Sequence, residues 1–474
     1  MTNIKRIFFT TLLIPVLGFS GSSISDAAEK PVKVFILSGQ SNMVGAGKVT
    51  GGGTRWGKEF IDPVLSVYEG EYDASKDYDK LEPIKTLKLE SFGGVKPTPY
   101  PGGGVQIVRG SVQMDQAGIY EFRPGYGDST HNIMTVNGKE AHRKEVGKES
   151  VHQDIELKAG EKVPFKITYL NKGANGLGWY AQLDVPGALS TLVKYKGMYP
   201  YLMNDKGQWT KRDDVYYKGV VTSTGSDWLS PLAAGGRIGP EVGFGHEVGN
   251  AIDEPVLLLK SSQGNRALGW DFLPPGSKQY EFEGKIFAGY KDSPMFWEKG
   301  TEPEPINWYA GKQYDECFTA AHDVLKNFDS NFPHWEGRGY EIVGFAWWQG
   351  DKDRYTKGLA AHYEKNLVHL INTLRKEFDA PEAKFVVATL GQTPKDIEPA
   401  DEGEANDKMI LDAQLAVDGE TGKYPQYKGN VSTVYTHPLS QGGASNSHYN
   451  GNAQTYMDVG IGMGKAMVEL LGKK

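Results

Sequence analysis

The chain of 474 residues has a single cysteine, Cys317, so no intramolecular disulfide bond can form. Cys317 lies in a helical pattern and is expected to be a small buried residue. The formal net charge is -7 and no basic stripe is visible, which disfavours nucleic-acid binding. The ten histidines show no ligand-spaced cluster, and no phosphate-binding glycine loop is found among 60 glycines. We therefore expect no metal and no cofactor.

The N-terminal segment is typical of a secretory signal peptide. Lys5 and Arg6 precede an apolar stretch at 7–20 that is too short to span a bilayer comfortably, and small residues lead up to Ala27. We predict cleavage after Ala27, and a secreted or periplasmic protein with no membrane contact after cleavage. The alternative is a retained membrane anchor.

Short apolar runs predict the buried strands of a parallel sheet, at 32–38, 255–261, 341–348, 384–390 and 430–435. Helical patterns separate or follow most of them, at 240–251, 313–327, 358–378, 406–417 and 453–471. This alternation predicts a doubly wound α/β domain. The alternation of strands and helices stops between residues 50 and 189. There, segments that alternate apolar and polar residues, with turns such as Asn137-Gly138, predict an antiparallel β-sandwich inserted into the α/β domain. The predicted division is therefore 30–49, 50–189 and 190–474.

The strongest chemical signal is the hexapeptide Ser38-Gly39-Gln40-Ser41-Asn42-Met43, directly after the first predicted strand. Ligands of parallel α/β sheets bind beyond the carboxyl ends of the strands, so Ser41 is expected at a binding edge. Gly39 permits a sharp turn, and the N–H groups after it can face a developing oxyanion. The alternative is an ordinary serine in a loop.

The string FILSGQSNMVG resembles the first motif of the sialate O-acetylesterase and acetylxylan-esterase group of SGNH hydrolases. Four later segments resemble the remaining motifs in the right order, namely Gly239–Phe244, Lys260–Asn265, Trp348–Asp353 and Ser447–Asn450. The resemblance covers roughly residues 31–48 and 190–472. It implies a flavodoxin-like fold and a carbohydrate O-acetylesterase that works through an acyl-enzyme.

The resemblance also implies roles for individual residues. Ser41 is the expected nucleophile and His448 the expected base, with His437 as a weaker rival. The oxyanion hole is expected to use the N–H groups of Ser41 and Gly239 and the side chain of Asn265, in a motif altered at Gly264. The expected substrate-binding residues are Gln40, Trp348 and Gln349.

The third member of the catalytic triad is missing from its usual place. The family pattern has Asp three residues before the catalytic His, and this chain has Ser445 there. One interpretation is a Ser–His dyad with His448 held by a backbone carbonyl. The other is a carboxylate supplied by Asp351 or Asp353, for which the alternative role is turn structure.

The inserted region resembles the β-sandwich module first known from anthrax protective antigen, through Gly118–Phe122, Val136–Gly138 and Leu157–Glu161. Such modules often bind glycans, and Trp179, Tyr180 and Tyr126 are candidates for stacking on sugars; a purely structural insertion is equally compatible. The expected partner of the whole protein is an acetylated carbohydrate, and its oligomeric state is unknown. Alternatives are a decayed esterase that only binds glycans, or an esterase for a different ester.

Overall fold

A computed structural model describes residues 30–89, 104–125, 131–170 and 178–473. The predicted signal peptide at 1–27 and Tyr126 lie outside the described residues. Within the described part of the chain, no helix is both long and apolar enough to cross a membrane. The described residues form a mixed α/β structure with several sheets, as the sequence predicts.

A seven-stranded sheet forms the centre of the α/β layer. Its strands in chain order are β1 (Val32–Gly39), β2 (Val215–Val221), β3 (Ser226–Trp228), β4 (Val256–Ser262), β5 (Tyr340–Trp348), β6 (Lys384–Ala388) and β7 (Val431–Val434). The spatial order is β3-β2-β4-β1-β5-β6-β7; β2 and β3 pair antiparallel and the other neighbours pair in parallel. Because β1 lies between β4 and β5, the chain order reverses at β1, and this is where ligands bind in such sheets.

Helices cover the sheet on both faces. They are α1 (Ser41–Val44), α2 (Leu189–Lys196), α3 (Glu241–Ala251), α4 (Lys312–Lys326), α5 (Phe328–Asn331), α6 (Lys357–Glu377), α7 (Glu402–Ala416) and α8 (Ala453–Leu470). Alternate residues of β1 enter two cores: Val34 and Ile36 pack with α4 and α6, and Phe35 and Leu37 pack with α3 and α8. Burial on both faces explains why this strand is an unbroken apolar run.

The five predicted strands of the sheet are all present; the short β3 was not predicted, and neither was its neighbour β2. Its sequence, VYYKGVV, is rich in strand-forming Val and Tyr, but Lys218 and Gly219 interrupt the apolar run. The strand lies near one end of the sheet, where residues of mixed polarity are tolerated. A small antiparallel sheet after β4 was also not predicted, with strands Tyr280–Phe282, Lys285–Phe287 and Phe296–Glu298.

Residues 53–182 contribute two antiparallel sheets. The larger has strands Phe60–Tyr68, Lys85–Lys88, Val105–Gln113, Asn132–Val136, Lys139–Lys144, Val151–His152 and Lys162–Tyr169. The smaller has strands Gly53–Arg55, Gly118–Arg123, Ile155–Leu157 and Trp179–Gln182. Side chains of both sheets share one core that includes Phe60, Phe122 and Phe165. A short ladder of Gly47–Lys48 with Arg237–Ile238 lies between α1 and this region.

Candidate active site

Ser41 lies where the central strand β1 ends. Gly39 is the last residue of β1, and Ser41 begins α1 after Gln40. A Cβ atom on Gly39, whose φ is +149°, would lie 2.2 Å from the carbonyl oxygen of Trp348, so glycine is required for β1 to end this close to β5. The turn places the partly buried Ser41 at the carboxyl edge of the sheet.

The loop after β4 lies beside Ser41. A Cβ atom added to Gly264 would lie 3.6 Å from the Cβ of Ser41. The next residue, Asn265, has a left-handed φ of +56° and an exposed side chain. Among the described residues, the N–H groups of Ser41 and Gly264 have no hydrogen-bond acceptor. The backbone N–H groups of Ser41 and Gly264 are therefore both available as donors where these two residues meet.

His448 lies in a turn that is hydrogen-bonded to α1. The turn begins at Ser445, whose carbonyl oxygen accepts a hydrogen bond from Asn42 Nδ2 at 3.1 Å, across 403 positions of sequence. Asn42 Oδ1 accepts from the Tyr456 hydroxyl at 2.9 Å, and that hydroxyl lies 3.4 Å from the carbonyl oxygen of His448. Asn42 follows Ser41 directly, so this network joins the backbone next to the predicted nucleophile to the turn that carries the predicted base.

The backbone of this turn is strained. His448, Tyr449 and Asn450 have φ values of +53°, +50° and +51°. The left-handed conformation costs roughly 1–2 kcal/mol for each non-glycine residue, and such residues cluster at functional sites. Tyr449 anchors the turn, because it is fully buried and stacks on Trp348 with ring centroids 6.1 Å apart. Within the described part of the chain, neither the His448 ring nor the Ser41 hydroxyl makes a hydrogen bond, as is common before substrate binds.

Asp351 approaches the position where the usual acid is missing. Its Oδ1 accepts a hydrogen bond from Ser445 Oγ at 2.6 Å, and its Oδ2 lies 3.5 Å from Asn42 Nδ2. Gln392 Oε1 also contacts Ser445 Oγ, and Arg354 Nε lies 3.6 Å from Asp351. Burial raises the pKa of Asp351, while the Ser445 hydrogen bond and the Arg354 charge oppose this shift. A carboxyl group therefore stands directly behind Ser445.

Asp353 is engaged elsewhere. Its two oxygens accept hydrogen bonds from the N–H groups of Leu268 and Gly269, both at 2.8 Å, and from Gln349 Nε2 at 2.6 Å. Complete burial raises the pKa of Asp353 to about 7, although the hydrogen bonds from these three donors act to lower it. Asp353 thus fixes the loop after β4, and of the two candidate carboxylates the structure brings Asp351 to Ser445.

Gln40, Trp348 and Gln349 lie behind the nucleophile. Only 4%, 1% and 1% of their respective surfaces are exposed. Gln40 Oε1 accepts hydrogen bonds from the N–H groups of Gly350 and Lys352, at 3.3 and 3.2 Å, and from the Gln349 amide at 3.2 Å. Because these side chains are buried and bonded to the protein, they hold the end of β1 against β5 and expose little surface to a ligand.

The N–H of Gly239 is also occupied. It donates to Glu241 Oε1 at 2.9 Å, and Glu241 Oε2 pairs with Lys260 Nζ at 2.8 Å. Lys260 Nζ further donates to the carbonyl oxygen of Val44 at 2.8 Å, at the end of α1. Both charged side chains are buried, at 0% and 1% exposure. Sequence reasoning missed this pair, although a lysine inside the strand VLLLKSS is an unusual signal.

His437 lies after β7, near the same edge of the sheet. Its Nδ1 is 2.7 Å from the carbonyl oxygen of Gly391. The His437 ring is therefore bound to the loop after β6, and not to α1. The turn of His448, in contrast, is hydrogen-bonded to α1, the helix that begins at Ser41.

Asp351 and His448 both come from the later part of the chain, and that part resembles a known family. Residues 292–469 match the family model of the carbohydrate esterase, sialic acid-specific acetylesterase. The predicted resemblance to sialate O-acetylesterases is confirmed by this match, which supports a carbohydrate esterase. The matched residues, 292–469, do not include Ser41.

Solved structures with detectable likeness include carbohydrate esterases. A protein from Arabidopsis thaliana is 14% identical with a TM-score of 0.33, over 56% of this chain and 88% of that one. A carbohydrate acetylesterase from Xanthomonas citri is 13% identical with a TM-score of 0.36, over 77% and 71%. A carbohydrate esterase family 2 enzyme with a carbohydrate-binding domain, from Corynascus thermopiles (Myceliophthora fergusii), is 11% identical with a TM-score of 0.28, over 79% and 97%. No curated protein matches the chain.

Proposed function

We propose that this protein is a serine esterase that removes O-acetyl groups from carbohydrates through an acyl-enzyme intermediate. The hydrogen bond between Asn42 and Ser445 carries the proposal, because it joins the helix that begins at Ser41 to the turn that holds His448. The match of residues 292–469 to an acetylesterase family supports the choice of an acetyl ester on a sugar.

The reaction follows from the residue types at this edge of the sheet. His448 takes the proton of Ser41 Oγ as the oxygen attacks the acetyl carbonyl carbon. The N–H groups of Ser41 and Gly264, with the exposed Asn265 side chain, stabilise the oxyanion that forms. Collapse expels the sugar hydroxyl group, which receives the proton from His448, and water then releases acetate by the same two steps.

Asp351 is a positioning residue in this scheme. Its carboxyl group binds Ser445, and Ser445 begins the turn that presents His448. The Ser445 hydroxyl has one proton and two acceptors within reach, on Asp351 and Gln392. A proton on Asp351 would satisfy both contacts, in agreement with the direction in which burial moves its pKa.

The architecture that carries this site is flavodoxin-like, in our interpretation. Strands β4-β1-β5-β6-β7 have the spatial order of the 2-1-3-4-5 pattern, and β2 with β3 extends one edge. Residues 50–189 form a β-sandwich inserted between 30–49 and 190–474. Export through the segment 1–27 is part of the same proposal.

The test is acetate release from acetylated monosaccharides, acetylated polysaccharides and p-nitrophenyl acetate. Ser41→Ala is expected to lower the rate by about 10³-fold or more, because residual catalysis then rests on the oxyanion hole and binding. Ser330→Ala is the matched control, since Ser330 is exposed on α5 and remote from the site. Equal rates for wild type and Ser41→Ala would reject the esterase, and glycan binding without any acetate release would indicate a decayed enzyme.

A further inference from the structure

A groove of about 400 Å³ lies between the smaller inserted sheet and the α/β layer. Trp179 and Arg123 line it from the sheet, and Trp209 and Leu232 line it from the α/β layer. Strand pairing places Arg123 and Arg55 directly opposite Trp179, one on each neighbouring strand. Trp179 therefore lies between two guanidinium groups at this groove. Arg123 is paired with Glu121, a carboxylate that also lines the groove, which leaves Arg55, among the described residues, as the unpaired one beside Trp179.

The chemistry of this surface suits an acidic sugar chain. Trp179 is 41% exposed and Leu232 is 52% exposed, which leaves apolar surface open to the face of a sugar ring. Arg55 lies 5.0 Å from the Trp179 ring centroid and holds the indole by a cation–π contact. Guanidinium groups bind carboxylate and sulfate oxygens in fork geometry. The groove volume falls in the range of small-molecule sites.

Two further cations lie between the groove and the candidate active site. Lys48 and Arg237 are exposed and directly opposite each other in the short ladder next to α1, an arrangement that repels. Among the described residues, neither they nor Arg55 forms an ion pair. A Cβ atom on Gly451 would lie 3.0 Å from Lys48 Cε, so Lys48 lies beside the turn of His448. These unneutralised charges are retained in a protein whose net charge is -7.

The separation of the two sites fits one oligosaccharide. Val44 ends α1 and Val49 lines the groove. Five residues of fully extended chain reach at most about 18 Å, and the single turn of α1 between Ser41 and Val44 adds about 5 Å. The groove and the nucleophile therefore lie within the span of a short oligosaccharide.

The geometry points to an acidic polysaccharide as the substrate. Its chain lies in the groove against Trp179, and its carboxylate or sulfate groups contact Lys48 and Arg237. The sugar that carries the acetyl group then reaches Ser41. This inference rests on the proposed esterase function and adds a remote subsite that raises the effective concentration of the polymer.

Binding is tested with the full-length Ser41→Ala protein by titration with polygalacturonate, dextran sulfate and neutral xylan. We expect tighter binding to an acidic polymer than to xylan, weakened by salt. Preference for polygalacturonate or for dextran sulfate identifies the carboxylate or the sulfate as the recognised group. When either Trp179→Ala or Arg237→Glu is added to the Ser41→Ala protein, we expect binding of the acidic polymer to weaken by about tenfold or more. Tyr340→Ala and Lys326→Glu are matched controls, since both residues lie at another pocket of the chain.

Kinetics separate this inference from the esterase proposal. In the enzyme with Ser41 intact, Trp179→Ala is expected to lower the ratio of kcat/KM for an acetylated acidic polymer to that for p-nitrophenyl acetate by about tenfold. Trp179→Phe is expected to recover part of this ratio. Equal binding of xylan and acidic polymers, or groove variants that match wild type, would overturn the subsite. Ser41-independent hydrolysis of p-nitrophenyl acetate would overturn the esterase alone.

Discussion

At the scale of single residues, Ser445 is the position where this chain departs from the acetylesterase pattern. The sequence shows that the usual Asp is missing, and it offers Asp351 and Asp353 as substitutes, with Asp353 slightly favoured. Spacing cannot separate them, because both follow β5 by a few residues. The hydrogen bonds do: Asp353 binds Leu268 and Gly269, and Asp351 binds Ser445.

Asp351→Asn is expected to lower kcat by up to about 100-fold with a smaller change in KM, because Ser445, which begins the turn of His448, loses its carboxyl partner. Addition of Ser445→Asp is expected to recover at least part of kcat, since it returns a carboxylate to the motif position three residues before His448. Steady-state kinetics with p-nitrophenyl acetate measure both effects. Asp412→Asn is the control, as this carboxylate is exposed on α7. Unchanged kcat in Asp351→Asn would leave an unassisted Ser–His dyad.

At the scale of helices and strands, the buried Lys260–Glu241 pair joins β4, α3 and the end of α1. Lys260→Met is expected to destabilise the protein by about 3–5 kcal/mol, because it leaves the buried Glu241 carboxylate without its positively charged partner. Lys260→Met with Glu241→Gln is expected to recover most of this loss. The thermal midpoint Tm measures both. Lys408→Met removes an exposed ion pair and is expected to cost less than about 1 kcal/mol. A cost as small for Lys260→Met would contradict the stabilising role of the Lys260–Glu241 pair.

The elements show how far the sequence alone could go. Strands buried on both faces, such as β1 and β5, are predictable because their apolar runs are continuous. Strand β2 was not predicted because Lys218 and Gly219 interrupt its apolar run. It is a strand because it pairs with β4, and local sequence does not show that pairing. The N–H of Gly239 could not be judged from sequence either, since its acceptor on Glu241 is fixed only in the folded chain.

At the scale of the whole molecule, a buried histidine makes stability depend on pH. Burial and the Arg212 charge lower the pKa of His246 from 6.5 to about 4, and Arg212 Nη1 lies 3.3 Å from its Nδ1. The unfolded chain binds the proton more tightly, so this stabilisation is present above pH 6.5 and is lost as pH falls towards 4. Tm is expected to drop from pH 7 to pH 4.5, and less steeply in His246→Asn. An equal slope in both proteins would contradict this assignment.

The candidate catalytic residues also lie in distant parts of the sequence. Motif order predicts that Ser41 and His448 act together, since each lies in a recognisable motif. The groove at Trp179 could not be predicted, because Trp209 and Leu232 reach it from a different part of the chain. Only the packing of the inserted sheets against the α/β layer forms that surface.

The most direct test of the account is covalent labelling with diethyl p-nitrophenyl phosphate, followed by mass spectrometry of the peptides. The account predicts one phosphoryl group on Ser41, and labelling that slows by about 10³-fold or more in His448→Gln, because the hydroxyl needs this base. His437→Gln is the matched control and should label like wild type. A label on another residue, or labelling of Ser41 that is indifferent to His448, would contradict the account.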